Sequence, residues 1–397
     1  DAFAATGATF LTAIQEEHGD FDVTELFVET SIPLLTDMTA VQDLSVDLAV
    51  RYADYSTIGG TTSWKAGVNW EVNDELRFRA TLSEAMRAPN IGELFAAKGQ
   101  NFAFIDDPCD VDNNQGAVRQ ANCAALGIPA DAQINPVSSV ELLTGGNKDL
   151  KEEESTSFTA GVVYQPSYVS GLVFTVDYWK IEIDDAITLV DAQDILNKCV
   201  DAAAGVDNQF CKLITRGADH KLTLIESTTQ NVAKNESEGI DFEIGYDFDA
   251  LGGEFTTQLI ATHLMARKEF PFQIDPTDFT DYAGTTGEAD WQANFSIGYK
   301  NGPWSANWRT RYLDEVNRYT GKELAANPDR NSIMTYGTYF QTDIRAGYSF
   351  ENNFTLEFGV DNLFDRNLPH YTNGTGDGTA SYDNIGRFYY TSLTYSF

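Results

Sequence analysis

The feature that most constrains this chain is a two-residue alternation of apolar and polar side chains, sustained over stretches of about a dozen residues. In "QDLSVDLAVRYADYS", residues 42–56, Leu44, Val46, Leu48, Val50 and Tyr52 fall on one face, and Asp43, Ser45, Asp47, Ala49 and Arg51 on the other. The same pattern returns at Trp64 to Trp70, Leu76 to Leu82, Leu172 to Tyr178, Ile240 to Phe248, Trp291 to Tyr299, Trp304 to Tyr312, Thr342 to Tyr348 and Phe354 to Val360. Only an extended backbone places every second side chain on one face. A soluble sandwich alternates as well, but its strands commonly hold about five or six residues. A dozen residues at roughly 3.3 Å each span about 40 Å, and a tilt of about 45° turns this into a little under 30 Å, close to the apolar band of roughly 25 Å on an outer-membrane barrel. No apolar run approaches the roughly 18 residues that a membrane helix needs. The expected fold class is therefore all-β, a transmembrane antiparallel β-barrel.

The connectors assign the two ends. Strands are expected near 22–32, 42–55, 60–71, 75–86, 155–165, 171–183, 228–249, 253–266, 289–300, 303–313, 335–350, 353–361 and 385–397. Between them "PLLTDMTAV", "VND", "QPSYVSG", "ALGG", "NGP" and "ENN" are short, whereas segments near 87–154, 184–227, 267–288, 314–334 and 362–384 are long, with "STIGG" alone breaking the alternation. Outer-membrane barrels carry short periplasmic turns and long extracellular loops. The long segments and residues 1–20 are thus expected outside the cell, and Phe397 in the periplasm. An odd count of about 13 strands conflicts with the even number of a bacterial single-chain barrel. Residues 1–397 accordingly read as the C-terminal part of one larger barrel, whose open edges lipid would not tolerate unpaired.

After the fourth strand comes "LSEAMRAPNIGELF", and its Arg87, Ala88, Pro89, Asn90, Glu93, Leu94 and Phe95 resemble the "RAPN-x-x-ELF" box of TonB-dependent receptors, the outer-membrane active transporters of Gram-negative bacteria. "ELFVETSIPLL", "RYADYS", "GNKDLKEEESTSFTAGVVYQP", "VDYWKIEIDDAI", "EGIDFEIGYDF", "GVDNLFDRNLP" and "GRFYYTSLTYSF" follow the family's landmarks in order. The resemblance implies a barrel of 22 strands with a plugged lumen, so that the plug domain, the TonB-contacting box and about nine strands lie outside this sequence. It further implies import of a scarce ligand, a siderophore, cobalamin or an oligosaccharide, energised through the TonB complex. The alternative is a passive porin or a structural barrel in a surface assembly. The closing strand is similar to the family's signal for the barrel-assembly machinery, with a terminal Phe397 and Tyr395, Leu393 and Tyr389 at alternate positions. Outer-membrane lipid and lipopolysaccharide are the expected surroundings.

Within the box, Pro89 has no amide proton and is read first as a strand terminator. The four cysteines stand in local pairs in the two longest outer loops, and a secreted context with even spacing predicts disulfides Cys109 with Cys123 and Cys199 with Cys211. No Cys-x-x-Cys spacing supports zinc. Acidic "DDPCDVDNNQ" lacks the ligand order of a calcium loop and reads as a solvated segment. The histidines are scattered and no Gly-x-Ser-x-Gly, His-Glu-x-x-His or phosphate loop is present, so no catalytic residue, metal or cofactor is expected and the protein is not read as an enzyme. A formal charge of −34, from 26 Lys and Arg against 60 Asp and Glu, argues against nucleic acid as a partner. Inward charges such as Arg51, Arg79, Asp177, Arg309 and Arg345 are expected to pair with neighbouring strands or a plug. Ligand contacts are expected from loop aromatics, Phe102, Phe104, Tyr319, Tyr336, Tyr371 and Tyr382, exposed and able to stack on sugars or chelate rings.

Overall fold

The computed structural model describes residues 16–351, 353–369, 382 and 385–397. Thirteen long strands form one antiparallel ladder in chain order. They are β1 Val23–Met38, β2 Val41–Tyr55, β3 Gly59–Asn73, β4 Leu76–Arg87, β5 Glu153–Tyr164, β6 Leu172–Leu189 and β7 Leu222–Ala250. The rest are β8 Gly253–Phe270, β9 Trp291–Asn301, β10 Trp304–Leu313, β11 Tyr339–Ser349, β12 Phe354–Asp361 and β13 Phe388–Tyr395. Within the described residues β1 pairs only with β2 and β13 only with β12, leaving one free edge at each end. Each strand expected from the alternation has a counterpart. Bounds differ by up to six residues: β6 runs on to Leu189, β7 starts at Leu222, and β1 continues through Pro33 to Met38, with a register shift between Pro33 and Leu35, where a connector was expected. Proline is tolerated there because it sits at the register shift, where the ladder is interrupted.

Register carries the alternation from strand to strand. Val46, Val68, Ala80, Ala160, Tyr178 and Ile240 are successive ladder partners and make one row of the apolar face. Its large side chains stay open, with Leu48, Val50, Phe78, Leu82, Phe295, Leu356 and Leu393 each at least 40 % exposed. No second layer covers them, as befits a face that meets lipid. Aromatic rings border this face at two depths. Phe248, Phe255 and Tyr299 stack at 5.0 and 4.7 Å, with Trp304 on Tyr348 and Phe354 on Tyr395 near the short-turn end. His263 on Trp291 and Tyr312 against Phe340 mark the other level. Trp291 and Tyr299, Trp304 and Tyr312, and Phe340 and Tyr348 are each eight residues apart. This is about 26 Å of strand and, once tilted, about 20 Å of depth, most of the apolar band of roughly 25 Å between interfacial girdles.

The opposite face is polar and its charges pair across strands. Arg79 grips Asp177 with two bonds of 2.9 and 2.6 Å, Lys65 meets Glu29 at 3.3 Å, and Arg51 bonds Glu25. The buried hydrophobic core lies elsewhere, in the long loops. Ile195, Leu196, Val200, Phe210, Ile225 and Phe272 pack with all of Cys109, Cys123 and Cys199 in one cluster. Strand β7 links the two regions: its residues 229–246 pair with β6, and its start, 224–228, pairs in parallel with a loop strand, Val140–Gly145.

Candidate ligand-binding site

The box after β4 folds back on itself. Pro89 follows the last strand residue, Arg87, and a short helix α1, Ile91–Phe95, begins at once. Asn90 caps it: its Oδ1 accepts from the Glu93 amide at 2.9 Å, and the Glu93 carboxylate accepts from the Asn90 amide at 2.8 Å, a reciprocal capping box. Arg87 then clamps two carboxylates, Glu93 at 3.0 and 3.1 Å and Glu153 at 2.5 and 2.7 Å. The "RAPN-x-x-ELF" string is thus a corner lock. Leu94 is buried beneath it, and Phe95 is carried to the rim.

Beside this corner opens a cavity of about 870 Å³. One wall is the end of α1 with Lys98, a second is residues 146–151, and a third is the upper part of β7, from Glu226 to Asn231. The walls are tied together through the backbone. Gly146 donates to the Ala96 carbonyl at 2.9 Å and Asn147 to the Glu93 carbonyl at 2.8 Å. Gly146 has no alternative, because a Cβ there would stand 2.7 Å from the Ala96 nitrogen. Asn231 fixes Lys151, accepting from its amide at 2.9 Å and donating to its carbonyl at 3.1 Å. Lys212 and Leu213, beside the Cys199–Cys211 bridge, and Gln273 complete the lining.

The cavity inverts the charge balance of the chain. Its lining holds four lysines, Lys98, Lys148, Lys151 and Lys212, against Asp149, Asp185 and Glu226, whereas the whole chain has 26 cations to 60 acids. Lys98 pairs with Glu226, and Lys212 lies 4.0 Å from Asp207. Among the described residues no carboxylate lies within ion-pair distance of Lys148 or Lys151; Lys148 sits 5.5 Å from the centre of the Phe95 ring. The side-chain amides of Asn147, Gln230, Asn231 and Gln273 are held within the wall, donating to the Thr229 carbonyl, Thr228 Oγ1, the Lys151 and Asp185 carbonyls and Asp185 Oδ1. Lys148 and Lys151 therefore present two ammonium groups beside an aromatic ring, a local arrangement that runs against the acidic balance of the chain.

The loops behind it form one body. The bonds Cys109–Cys123 and Cys199–Cys211 are both made, with Cα separations of 5.6 and 4.7 Å. Two helices, α2 Ala117–Ala125 and α3 Ala192–Asp201, carry one cysteine of each bond. Arg119 pairs with Asp201 at 2.6 Å, and the Asn122 amide donates to the Val200 and Ala202 carbonyls. Phe272 enters the same core from a third loop, edge-on to Phe210 at 5.5 Å. The acidic segment 106–115 is not the solvated stretch expected. Asp107 is fully buried and takes two bonds from Arg216, at 2.5 and 3.0 Å. Asp110 is also buried; burial alone would raise its pKa, but amides of Asp112, Asn135 and Ile134 hold the carboxyl below its usual range.

The aromatics expected to touch ligand do not converge on the cavity: Tyr319 and Tyr336 both flank Arg318, and none of the five described ones is in the lining. Phe102 and Phe104 are 51 % and 87 % exposed, on and just after the loop strand Gly99–Ala103. Tyr319 lies between Arg318 and Arg330. Two expectations of exposure are corrected: Tyr336 is buried beneath Arg318, and Tyr382 is buried edge-on to Tyr339 at 5.0 Å. Tyr371 lies outside the described residues. Tyr389, Leu393 and Tyr395 share the apolar face of β13, opposite Val360, Leu356 and Phe354, and Phe397 is fully exposed. Sequence reasoning passed over the lysines, because a lysine in a polar loop carries no distinguishing local signal.

Comparison with known proteins agrees with this architecture. Residues 3–363 match the family profile described as TonB dependent receptor-like, beta-barrel. The probable TonB-dependent siderophore receptor PirA of Acinetobacter baumannii is 23 % identical over 385 residues, 94 % of this chain and 43 % of that protein. The ferric enterobactin receptor of Pseudomonas aeruginosa is 22 % identical over 379 residues, covering 94 % of this chain and 42 % of its own length. The crystal structure of the Acinetobacter receptor superposes with a TM-score of 0.60 at 18 % identity, over 96 % of this chain and 47 % of that one. The chain spans a little under half the length of these relatives. With the alternating strands, the aromatic girdles and the capped "RAPNIGELF" corner in place, the chain belongs to the TonB-dependent receptor β-barrel family of the Gram-negative outer membrane.

Proposed function

We propose that this chain forms part of the wall and outer rim of a receptor that imports an anionic metal chelate of the siderophore type across the outer membrane, energised through the TonB complex. The observation that carries this reading is the pair Lys148 and Lys151, which among the described residues have no carboxylate within ion-pair distance, in the rim cavity of a strongly acidic chain. A neutral oligosaccharide has no use for it, and a cation would be repelled. Two relatives, a probable siderophore receptor and a ferric enterobactin receptor, support the same ligand class. Lys148, Lys151 and Phe95 are the contacts proposed, with Phe102, Phe104 and Tyr319 available to a ligand approaching from solvent. Closing strand β13, with Tyr389, Leu393, Tyr395 and Phe397, is proposed as the signal for the barrel-assembly machinery, and lipopolysaccharide as the lipid beside the outer girdle.

The test is competitive binding to the full-length receptor in outer-membrane vesicles. Ferric tris-catecholate, which is triply anionic, should bind and lose affinity on Lys151→Glu, while a neutral ferric tris-hydroxamate, cyanocobalamin and maltodextrin should compete weakly. Preferential binding of a neutral ligand, unaffected by Lys151→Glu, would exclude the proposal.

A further inference from the structure

The segment just before β1 touches Phe95, a residue of the cavity lining. Gly19 packs directly against Phe95, so closely that a Cβ would stand 2.5 Å from the ring's Cδ2 and 2.9 Å from its Cβ. Only a residue without a side chain fits there. The far end of the segment is tied down too: the Asp22 amide donates to Ser56 Oγ at 3.0 Å, the Ser56 amide donates to the Asp22 carbonyl at 3.0 Å, and Phe21 faces Tyr55 with ring centres 6.4 Å apart. Between and beside these two anchors the chain reads "EEHGDFD", residues 16–22, four acids in seven positions. All seven are exposed, and the ion pairs among the described residues include only Glu16 with its neighbour His18, at 3.6 Å.

We infer that residues 16–22 are an acidic strap that competes with the incoming anion for the Phe95 side of the cavity, so that seating the ligand requires lifting Gly19 from the ring. The inference rests on the proposed reading of the cavity as an anion site. Every backbone position of the strap lies within three residues of Gly19, hence within about 11 Å of it. That reach is comparable to the screening length of about 8 Å at physiological salt and well inside the roughly 30 Å of 10 mM salt. The negative charge of the strap therefore acts on the same volume as the charge of the ligand. Phe95 has two alternative neighbours in this account: the glycine of the strap in the free receptor, and a planar group of the ligand in the loaded one. The strap then works as a threshold, because a highly charged chelate gains enough from Lys148 and Lys151 to displace it and a weakly charged one does not.

The experiment is equilibrium binding of radiolabelled ferric tris-catecholate to the full-length receptor in outer-membrane vesicles, at 10 mM and at 0.5 M salt. Two strap variants are compared with wild type: Glu16→Gln/Glu17→Gln/Asp20→Asn, which removes charge, and Gly19→Leu, which cannot sit on Phe95. Both should bind more tightly, by about three- to tenfold at low salt, and the advantage of the charge variant should shrink at high salt. Lys148→Gln/Lys151→Gln is the reference for the cavity itself and should bind more weakly. If the lysine variant weakens binding while the charge variant binds no better than wild type, the strap is overturned and the cavity stands. If the lysine variant binds as wild type does, both readings fall. Should Gly19→Leu not assemble, the charge variant alone decides.

Discussion

At the scale of single residues, the loop body is held by charges that have left water. Asp107 has no exposure, and its compensation is two bonds from Arg216 and one from the Cys109 amide at 3.0 Å. Removing one partner of a buried pair costs about 3–5 kcal/mol, because the other charge is left uncompensated. Arg216→Met should therefore destabilise the loop body by that order, and adding Asp107→Leu should recover part of the loss, as read by hydrogen exchange across residues 99–145. Asp110 makes the pH dependence explicit. Its carboxyl is held below the usual range by three backbone amides, despite burial. A depressed folded pKa adds stability that is complete above the ordinary carboxylate value of about 4 and is lost as pH falls through the lowered one. Asp110→Asn should accordingly cost about 1–3 kcal/mol at pH 7, and the gap to wild type should close in acid. A gap constant with pH would show that hydrogen-bond geometry, not charge, holds this turn.

At the scale of elements, strands and loops differ in how much the sequence discloses. Strands such as β2 and β3 were legible because lipid on one side and water on the other impose a strict period of two, visible in every turn of the pattern. The disulfides were legible from local cysteine spacing in outer loops. The run of β1 past Pro33 was not, since the register shift that accommodates the proline has no local signature. Nor was the loop body: helix α3 contributes Ile195, Leu196 and Val200 to a core completed by Phe272, about seventy residues later, and nothing local announces that meeting. The rim cavity was hidden for the same reason, as Lys98, Lys148, Lys151 and Lys212 come from segments far apart in the chain. Each disulfide closes a loop of little more than a dozen residues, worth roughly 3 kcal/mol in the chain-entropy model. Mild reduction should thus open residues 99–145 and 190–230 to limited proteolysis while β2 to β6 remain protected. Equal protection before and after reduction would mean that the shared core holds the loops without the bridges.

At the scale of the whole molecule, the account requires the open apolar face to be a lipid face and the rim cavity to be the first station of energised import. The first requirement predicts an asymmetry between neighbours on β3. Val68→Arg, pointing to lipid, should cost about 2–4 kcal/mol of folding into bilayers if it lies near midplane, whereas Asn69→Arg, on the wet face, should be nearly neutral; equal costs would place a protein core where lipid is expected. The second requirement rests on the family, the charge of the cavity and relatives twice as long as this chain. It is tested most directly by following radiolabelled ferric tris-catecholate into cells that carry the full-length receptor, with and without a protonophore. Collapsing the proton gradient should leave the chelate bound at the surface and stop its entry. Entry that continues at an undiminished rate without the gradient would contradict it.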